Sequence, residues 1–145
     1  MLPPDAALRF DLTRRLGVGS PPVAGLVVVT TVGTEEQANL IASELIARRH
    51  AACVNIVSGL RSVYRWQGKI CRDTEFMLLA KTLESEYPAI EATIKELHSY
   101  ELPEILCFKV CKGEPAFLDW LAGSLDKNAA FSDEEEPEML DETNY

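Results

Sequence analysis

No stretch of this sequence approaches the run of about 18 apolar residues that a membrane-spanning helix needs. No polybasic cluster is present that would hold an anionic membrane surface. The first residues lack the unbroken apolar segment of a secretory leader, because Leu8, Phe10 and Leu12 alternate with Arg9, Asp11 and Arg14. A cytoplasmic address follows by default, with Arg9, Arg14 and Arg15 leaving a short organellar presequence as the alternative. Cysteine is sparse. Cys53, Cys71, Cys107 and Cys111 are the four in 145 residues, and a chain with 47% hydrophobic content can build a core without disulfides. They read as free, buried thiols in a reducing compartment. Positive charge is also short, at 14 Lys and Arg against 23 acids. Residues 126–145 hold eight acids and one lysine, so the rest of the chain is close to neutral. A near-neutral body with an acidic tail lacks the basic face that nucleic acid requires.

Missing motifs narrow the chemistry further. With only two His and no Gly-x-Ser-x-Gly, a nucleophilic enzyme has little to work with. No Gly-rich loop could cradle phosphate. The chain is expected not to be an enzyme.

What is present centres on residues 61–82, RSVYRWQGKICRDTEFMLLAKT. Two strand-rich arms flank Gln67-Gly68, and Gly68 supplies the positive φ of a tight hairpin turn. The second arm, residues 69–82, would span about 45 Å fully extended, whereas a domain of about 100 residues has a radius of gyration near 13 Å. The ribbon is expected to overhang its own domain and to pack on another copy. The alternative is a bulged hairpin that bends back over its own sheet.

Around it the order is β-α-β-β-α-β. Residues 26–32 (LVVVTTV) form a β-branched run suited to a central strand. Thr34 and Gln37 make a capping box for a first helix carrying Ala38, Ile41, Ala42, Leu45 and Ile46 on one face. Arg48, Arg49 and His50 are expected in its last turn. Residues 52–57 form a second strand, broken at Ser58-Gly59. Ser85 is expected to cap a second helix, with Tyr87, Ile90, Ile94 and Leu97 as its buried stripe and an end near His98. Residues 104–112 read as a fourth strand. A short helix opens at Glu114-Pro115 and closes at Gly123. The expected fold is α+β, ferredoxin-like βαββαβ, with an extended central hairpin and a short C-terminal helix. Residues 1–24 read as a flexible arm with a short helix through Leu8, Leu12 and Leu16, residues 25–125 as the folded domain, and residues 126–145 as a disordered acidic tail.

Two relatives of this topology do not fit. An RNA-recognition module needs an aromatic, basic third strand, which Glu75-Phe76-Met77-Leu78-Leu79 is not. A metal carrier places Cys-x-x-Cys in the first loop, where this chain has Thr31-Val32-Gly33-Thr34. Cys107 and Cys111, four apart on one expected strand, stand about 13 Å from each other and cannot share a zinc ion. The densest polar cluster is His98, Ser99, Tyr100 and Glu101 with Glu104. It suits a divalent cation or a small polar ligand, or else a helix end tied to a neighbouring subunit.

Several blocks together resemble the CutA divalent-cation tolerance family. They are residues 51–56 (AACVNI), residues 62–70 (SVYRWQGKI), Glu75, Lys81-Thr82, residues 97–105 (LHSYELPEI) and residues 117–120 (FLDW). They run in order over about residues 25–125. The resemblance implies a ferredoxin-like protomer, a homotrimer whose hairpins pair between subunits, a cytoplasmic home, and a part in tolerance to copper and other divalent ions. Positions matching the family's copper ligands carry Thr30, Leu97 and His98 here, so only His98 keeps a ligand. The candidate metal residues are His98, Cys53 and Glu101, for Cu²⁺ or another divalent cation, with no cofactor required. A second reading is a trimeric small-ligand sensor with a cleft between subunits, drawn from Tyr64, Trp66, Lys69, Lys81, Tyr100, Glu101 and Glu104. Stabilisation by a nucleotide or organic anion would favour it. A third is a scaffold that holds a partner protein through the acidic tail.

Overall fold

The computed structural model of the chain describes residues 23–130 and 134–138. The helix expected through Leu8, Leu12 and Leu16 lies outside them, as does half of the acidic tail, residues 131–133 and 139–145.

The central strand is β1 (Gly25–Val32), buried almost throughout as its β-branched run requires. It is followed by α1 (Glu35–Ala47), β2 (Cys53–Trp66), β3 (Lys69–Leu83), α2 (Tyr87–Leu97), β4 (Leu106–Lys109) and α3 (Pro115–Ser124). The sheet order is β2-β3-β1-β4, and every neighbouring pair is antiparallel. This is the expected ferredoxin-like fold. One sheet face meets α1 and α2 through Val28, Val32, Ala38, Ile41, Leu45, Leu78, Ala80, Ile90 and Ile94. Each such Leu or Ile contributes about 1.5–3 kcal/mol by leaving water. Lys81 lies across the ladder from Val27, on the opposite face, and its ammonium stands 5.9 Å from the Phe117 ring of α3. The C-terminal helix thus covers that second face at one end only.

Several local expectations change. Thr34 caps α1 by accepting the Gln37 N–H at 3.1 Å, but the Gln37 amide does not reach back. It donates to the Leu97 carbonyl at 2.8 Å and ties the start of α1 to the end of α2. Arg48 is the C-cap of α1 rather than part of its last turn, and pairs with Glu44 and Glu96. Arg49 follows with φ of 56°, and the His50 ring pairs with Glu86 at 3.2 Å. Ser85 caps nothing, because a 3-10 turn over Glu84–Glu86 leads straight into α2. The α2 stripe is as expected, with Ile90 and Ile94 fully buried and Tyr87 and Leu97 packed beside them. The fourth strand is shorter than residues 104–112. Glu104 is drawn to Thr31 before it starts, and the chain turns toward α3 soon after Val110, whose N–H still donates to Gly25. Cys111 therefore lies outside β4, and the thiols are not buried as expected: Cys107 and Cys111 are exposed, and Cys53 and Cys71 are half-buried. Gly123 sits within α3, which runs on to Ser124, and Glu114 caps its start by accepting the Phe117 N–H at 2.8 Å.

The hairpin is as long as the sequence requires. β2 and β3 pair from Cys53↔Lys81 to Trp66↔Lys69, with a bulge between Val57 and Leu60. Of β3, only residues 76–83 pair with β1. Among the described residues, strand residues 60–66 and 69–75 therefore pair only with each other, leaving about 20 Å of free ribbon. Gln67 and Gly68 have φ of 49° and 77°, the double positive φ of a type I′ turn.

Candidate functional site

Where the free ribbon leaves the sheet, it faces the loop that follows α2. The position of that loop comes from its own side chains. α2 ends at Leu97, and the His98 N–H still donates to the Ile94 carbonyl. The Tyr100 N–H donates to His98 Nδ1 at 3.0 Å, so Nδ1 is the acceptor nitrogen. Nε2 then carries the proton and donates to the Thr31 carbonyl at 2.8 Å. Both ring nitrogens are engaged, and the imidazole brackets the loop against the end of β1. The Tyr100 ring lies tilted against His98, with ring centroids 4.7 Å apart, and reaches over Gly33, where a Cβ would stand 3.0 Å from the phenol oxygen. The Tyr100 hydroxyl donates to Glu75 at 2.9 Å, and Glu75 is only 6% exposed. Thr31 Oγ1 donates to Glu104 at 3.3 Å.

On the ribbon itself Tyr64 donates to Asp73 one strand away. That hydrogen bond, aided by burial, pushes the Tyr64 phenol up to about 12. Burial first, and then the Glu75 carboxylate, pushes Tyr100 up to about 12. Both phenols stay protonated at neutral pH and act as donors.

Between ribbon and loop lies a cleft of about 700 Å³. Tyr64, Trp66, Tyr100, Glu101 and Glu104 line it, with Thr31, Ser62, Glu75 and Met77. Other candidates lie elsewhere. Lys69 faces Trp66 across the turn but is not part of the wall, and Lys81 is at the far end of β3. Cys53 opposes Lys81, and its thiol is 3.8 Å from the Asn55 side chain. In register Cys53 is level with Val27, whereas His98 is fastened to Thr31. Four strand residues, about 13 Å, separate the two levels. Among the described residues no group of three or more His, Cys, Asp or Glu side chains converges as metal ligands would. Thr30 is 2% exposed and shares the helix-covered core face of β1 with Val28 and Val32, away from the cleft.

Sequence reasoning did not select Glu75, Thr31 or Ser62 for the cleft. Glu75 carried a usable signal. It is a lone acid at the head of FMLLA, at a position whose partner across the ladder is Leu60. A charged residue in that setting needs a dedicated donor, and Tyr100 provides it.

These features define a ferredoxin-like α+β protein whose central hairpin outreaches its sheet and walls a polar, aromatic cleft. Residues 26–124 match the family described as CutA1 divalent ion tolerance protein, and the chain belongs to that family. It is 47% identical over 95 residues to the divalent-cation tolerance protein CutA of Thermus thermophilus, covering 66% of this chain and 92% of that protein. It is 36% identical over 118 residues to Protein CutA 1, chloroplastic, of Oryza sativa, covering 81% of this chain and 67% of the relative. The crystal structure of CutA1 from Oryza sativa superimposes with a TM-score of 0.70 at 39% identity, covering 72% of this chain and 96% of that one. Among the described residues no helix is long and apolar enough to cross a membrane.

Proposed function

We propose that this chain works as a cytoplasmic homotrimer in the response to divalent metal ions, without catalysing a reaction. The metal role is supported by the family's description as divalent ion tolerance proteins and by the name of the Thermus thermophilus relative, a divalent-cation tolerance protein. The observation that carries the assembly is the free ribbon. Val63 and Ile70 are 63% and 59% exposed on it, beside Tyr64 and Trp66. Open-edged apolar ribbon of this length is stabilised by a neighbour. Copper binding is weak in this reading. His98 would have to release one of its two hydrogen bonds to take a metal, Glu101 is the carboxylate at hand, and Cys53 would join only from another copy.

Solution mass at low micromolar concentration tests the assembly. Three chains of 16.1 kDa give about 48 kDa, and a folded species at 16.1 kDa would refute the trimer. Calorimetric titration with Cu²⁺ tests the metal. Weak binding that weakens further in His98→Ala is expected, and an unchanged isotherm removes His98 from the site. The cleft supports a second reading, a small-ligand sensor, because its volume lies in the range of about 300–1,000 Å³ usual for ligand pockets.

A further inference from the structure

A second polar cluster lies at the end of β3 opposite the free ribbon, where the chain returns after α3. The ribbon surface given to a neighbouring copy is not part of it. Leu125 is the last buried side chain among the described residues, and residues 126–129 follow it as a strap across the end of α1. Two reciprocal contacts hold the strap. The Arg49 guanidinium donates to the carbonyls of Asp126, Lys127 and Ala129 at 3.2, 3.4 and 3.1 Å. In return the Lys127 ammonium donates to the Arg48 carbonyl at 3.3 Å, to the Arg49 carbonyl, and to Glu86 at 3.4 Å. His50 Nδ1 stands 3.2 Å from the same Glu86 oxygen.

The place that the ammonium fills is built for a cation. Its two carbonyls stand just past α1, where the helix dipole is negative. The Glu86 and His50 side chains are 17% and 20% exposed, so the carboxylate is largely out of water and gains from a positive charge close by. Lys127 supplies that charge, and it is removable. Its side chain is 48% exposed, and exposed ion pairs contribute little net stability. Lifting the strap leaves three oxygens around one point, with an imidazole nitrogen beside one of them. Another ammonium would use the oxygens alone. A metal ion would use the nitrogen too, because the tautomer with its proton on Nε2 presents Nδ1 as a lone-pair donor. Imidazole suits ions such as Zn²⁺, Cu²⁺ and Ni²⁺. Among the described residues no three His, Cys, Asp or Glu side chains converge, and here two main-chain carbonyls complete the set.

We infer that this notch is a divalent-metal site apart from His98, closed by the chain's own Lys127, and that a metal ion exchanges with the ammonium and frees the strap. The inference rests on the metal-response reading and gives it a place and an output, the release of the acidic tail. Glu86 and His50 are the side-chain ligands, and the Arg48 and Arg49 carbonyls complete the shell.

The test uses the full chain. Ni²⁺ is the probe, because exposed thiols favour softer ions, and Mg²⁺, which takes oxygen ligands, is the comparator. Calorimetry reads binding. Hydrogen exchange reads the Asn128 and Ala129 amides, which are both bonded to Asp126. Wild type should bind Ni²⁺ saturably and Mg²⁺ more weakly, with faster exchange at both amides once Ni²⁺ is bound. Lys127→Gln removes the competing cation. A notch closed about nine-tenths of the time binds about tenfold more weakly than an open one, so this variant should gain about tenfold in affinity. Its two amides should exchange fast with or without metal. Adding Glu86→Gln to Lys127→Gln should abolish the gain. A gain that survives Glu86→Gln would come from net charge alone and would overturn the inference, as would equal affinities in wild type and Lys127→Gln. Mg²⁺ bound as tightly as Ni²⁺ would remove His50 from the ligand set and overturn the site. Ni²⁺ binding that is lost in His98→Ala and unmoved by Lys127→Gln would overturn the notch and keep the metal-response reading. No Ni²⁺ binding by wild type or Lys127→Gln would also overturn the notch, and the metal-response reading would then rest on its own Cu²⁺ titration.

Discussion

The two halves of β3 are one strand with two fates. Residues 76–83 pair with β1 on one side and, over residues 77–81, with β2 on the other, and Leu78 among them is 1% exposed. Residues 69–75 pair with β2 alone, and Ile70 among them is 59% exposed. Strand propensity does not separate the halves, since both hold β-branched or long apolar residues. What separates them is a second neighbour. The inner half is stabilised within the protomer, whereas the outer half has its ladder and little more.

The largest effects expected set one half against the other. Leu78→Ala opens a void beneath the helices and should cost about 2–5 kcal/mol in a urea titration. Ile70→Ala in an isolated protomer should cost within about 0.5 kcal/mol, because its side chain already meets water. Ile70→Asp sharpens the contrast. If the outer ribbon is covered by other copies, a carboxylate there has no partner, and the mass should fall from about 48 kDa to 16.1 kDa with the circular dichroism of the fold retained. An unchanged mass would show that the exposed half needs no cover at that position.

The inner architecture was legible in the sequence because local signals agreed with global ones. The β-branched run of residues 26–32 asked for two neighbours and has them in β3 and β4. The spacing of Ile90 and Ile94 asked for a core and met α1. The length of the hairpin was legible too, since simple reach exceeded the size of the domain. The errors fell where a side chain had a choice of partner. Gln37 could complete a capping box or bridge to Leu97, and the tertiary bond won. Ser85 could cap a helix, but the 3-10 turn through it left no N-terminus at that point. The cleft was half legible. Tyr64, Trp66, Tyr100, Glu101 and Glu104 were named, yet Lys69 and Lys81, grouped with them, lie outside the wall. Glu75 was overlooked as a wall residue because its donor lies 25 positions away.

A smaller effect probes the junction between the halves, where Glu75 meets Tyr100. Tyr100→Phe removes the donor and leaves a carboxylate without it, at a cost of about 1–3 kcal/mol. The pH dependence has a definite sign. The folded phenol ionises near 12 and the unfolded one near 10. The unfolded chain therefore releases its proton first, and this stabilisation is complete below pH 10 and lost as pH rises toward 12. Wild type should lose more stability across that window than Tyr100→Phe. Equal losses would mean that the Tyr100–Glu75 bond does not hold the loop.

The smallest effect lies at the tip. Gln67 adopts φ of 49°, a conformation that residues with a Cβ populate at a cost, while Gly68 beside it adopts φ of 77° freely. Asn is the residue that type I′ turns favour at the first of these positions. Gln67→Asn should therefore stabilise the hairpin by a few tenths of a kcal/mol. The gain should be local: slower amide exchange near Trp66 and Lys69, with the Leu78 amide unchanged, because residues 76–83 are already fixed by β1. Faster exchange at the tip would show that the Gln67 side chain holds the turn by a contact that Asn is too short to make. In that event the outer ribbon is stabilised at its end as well as along its ladder, and the contrast between the two halves of β3 narrows.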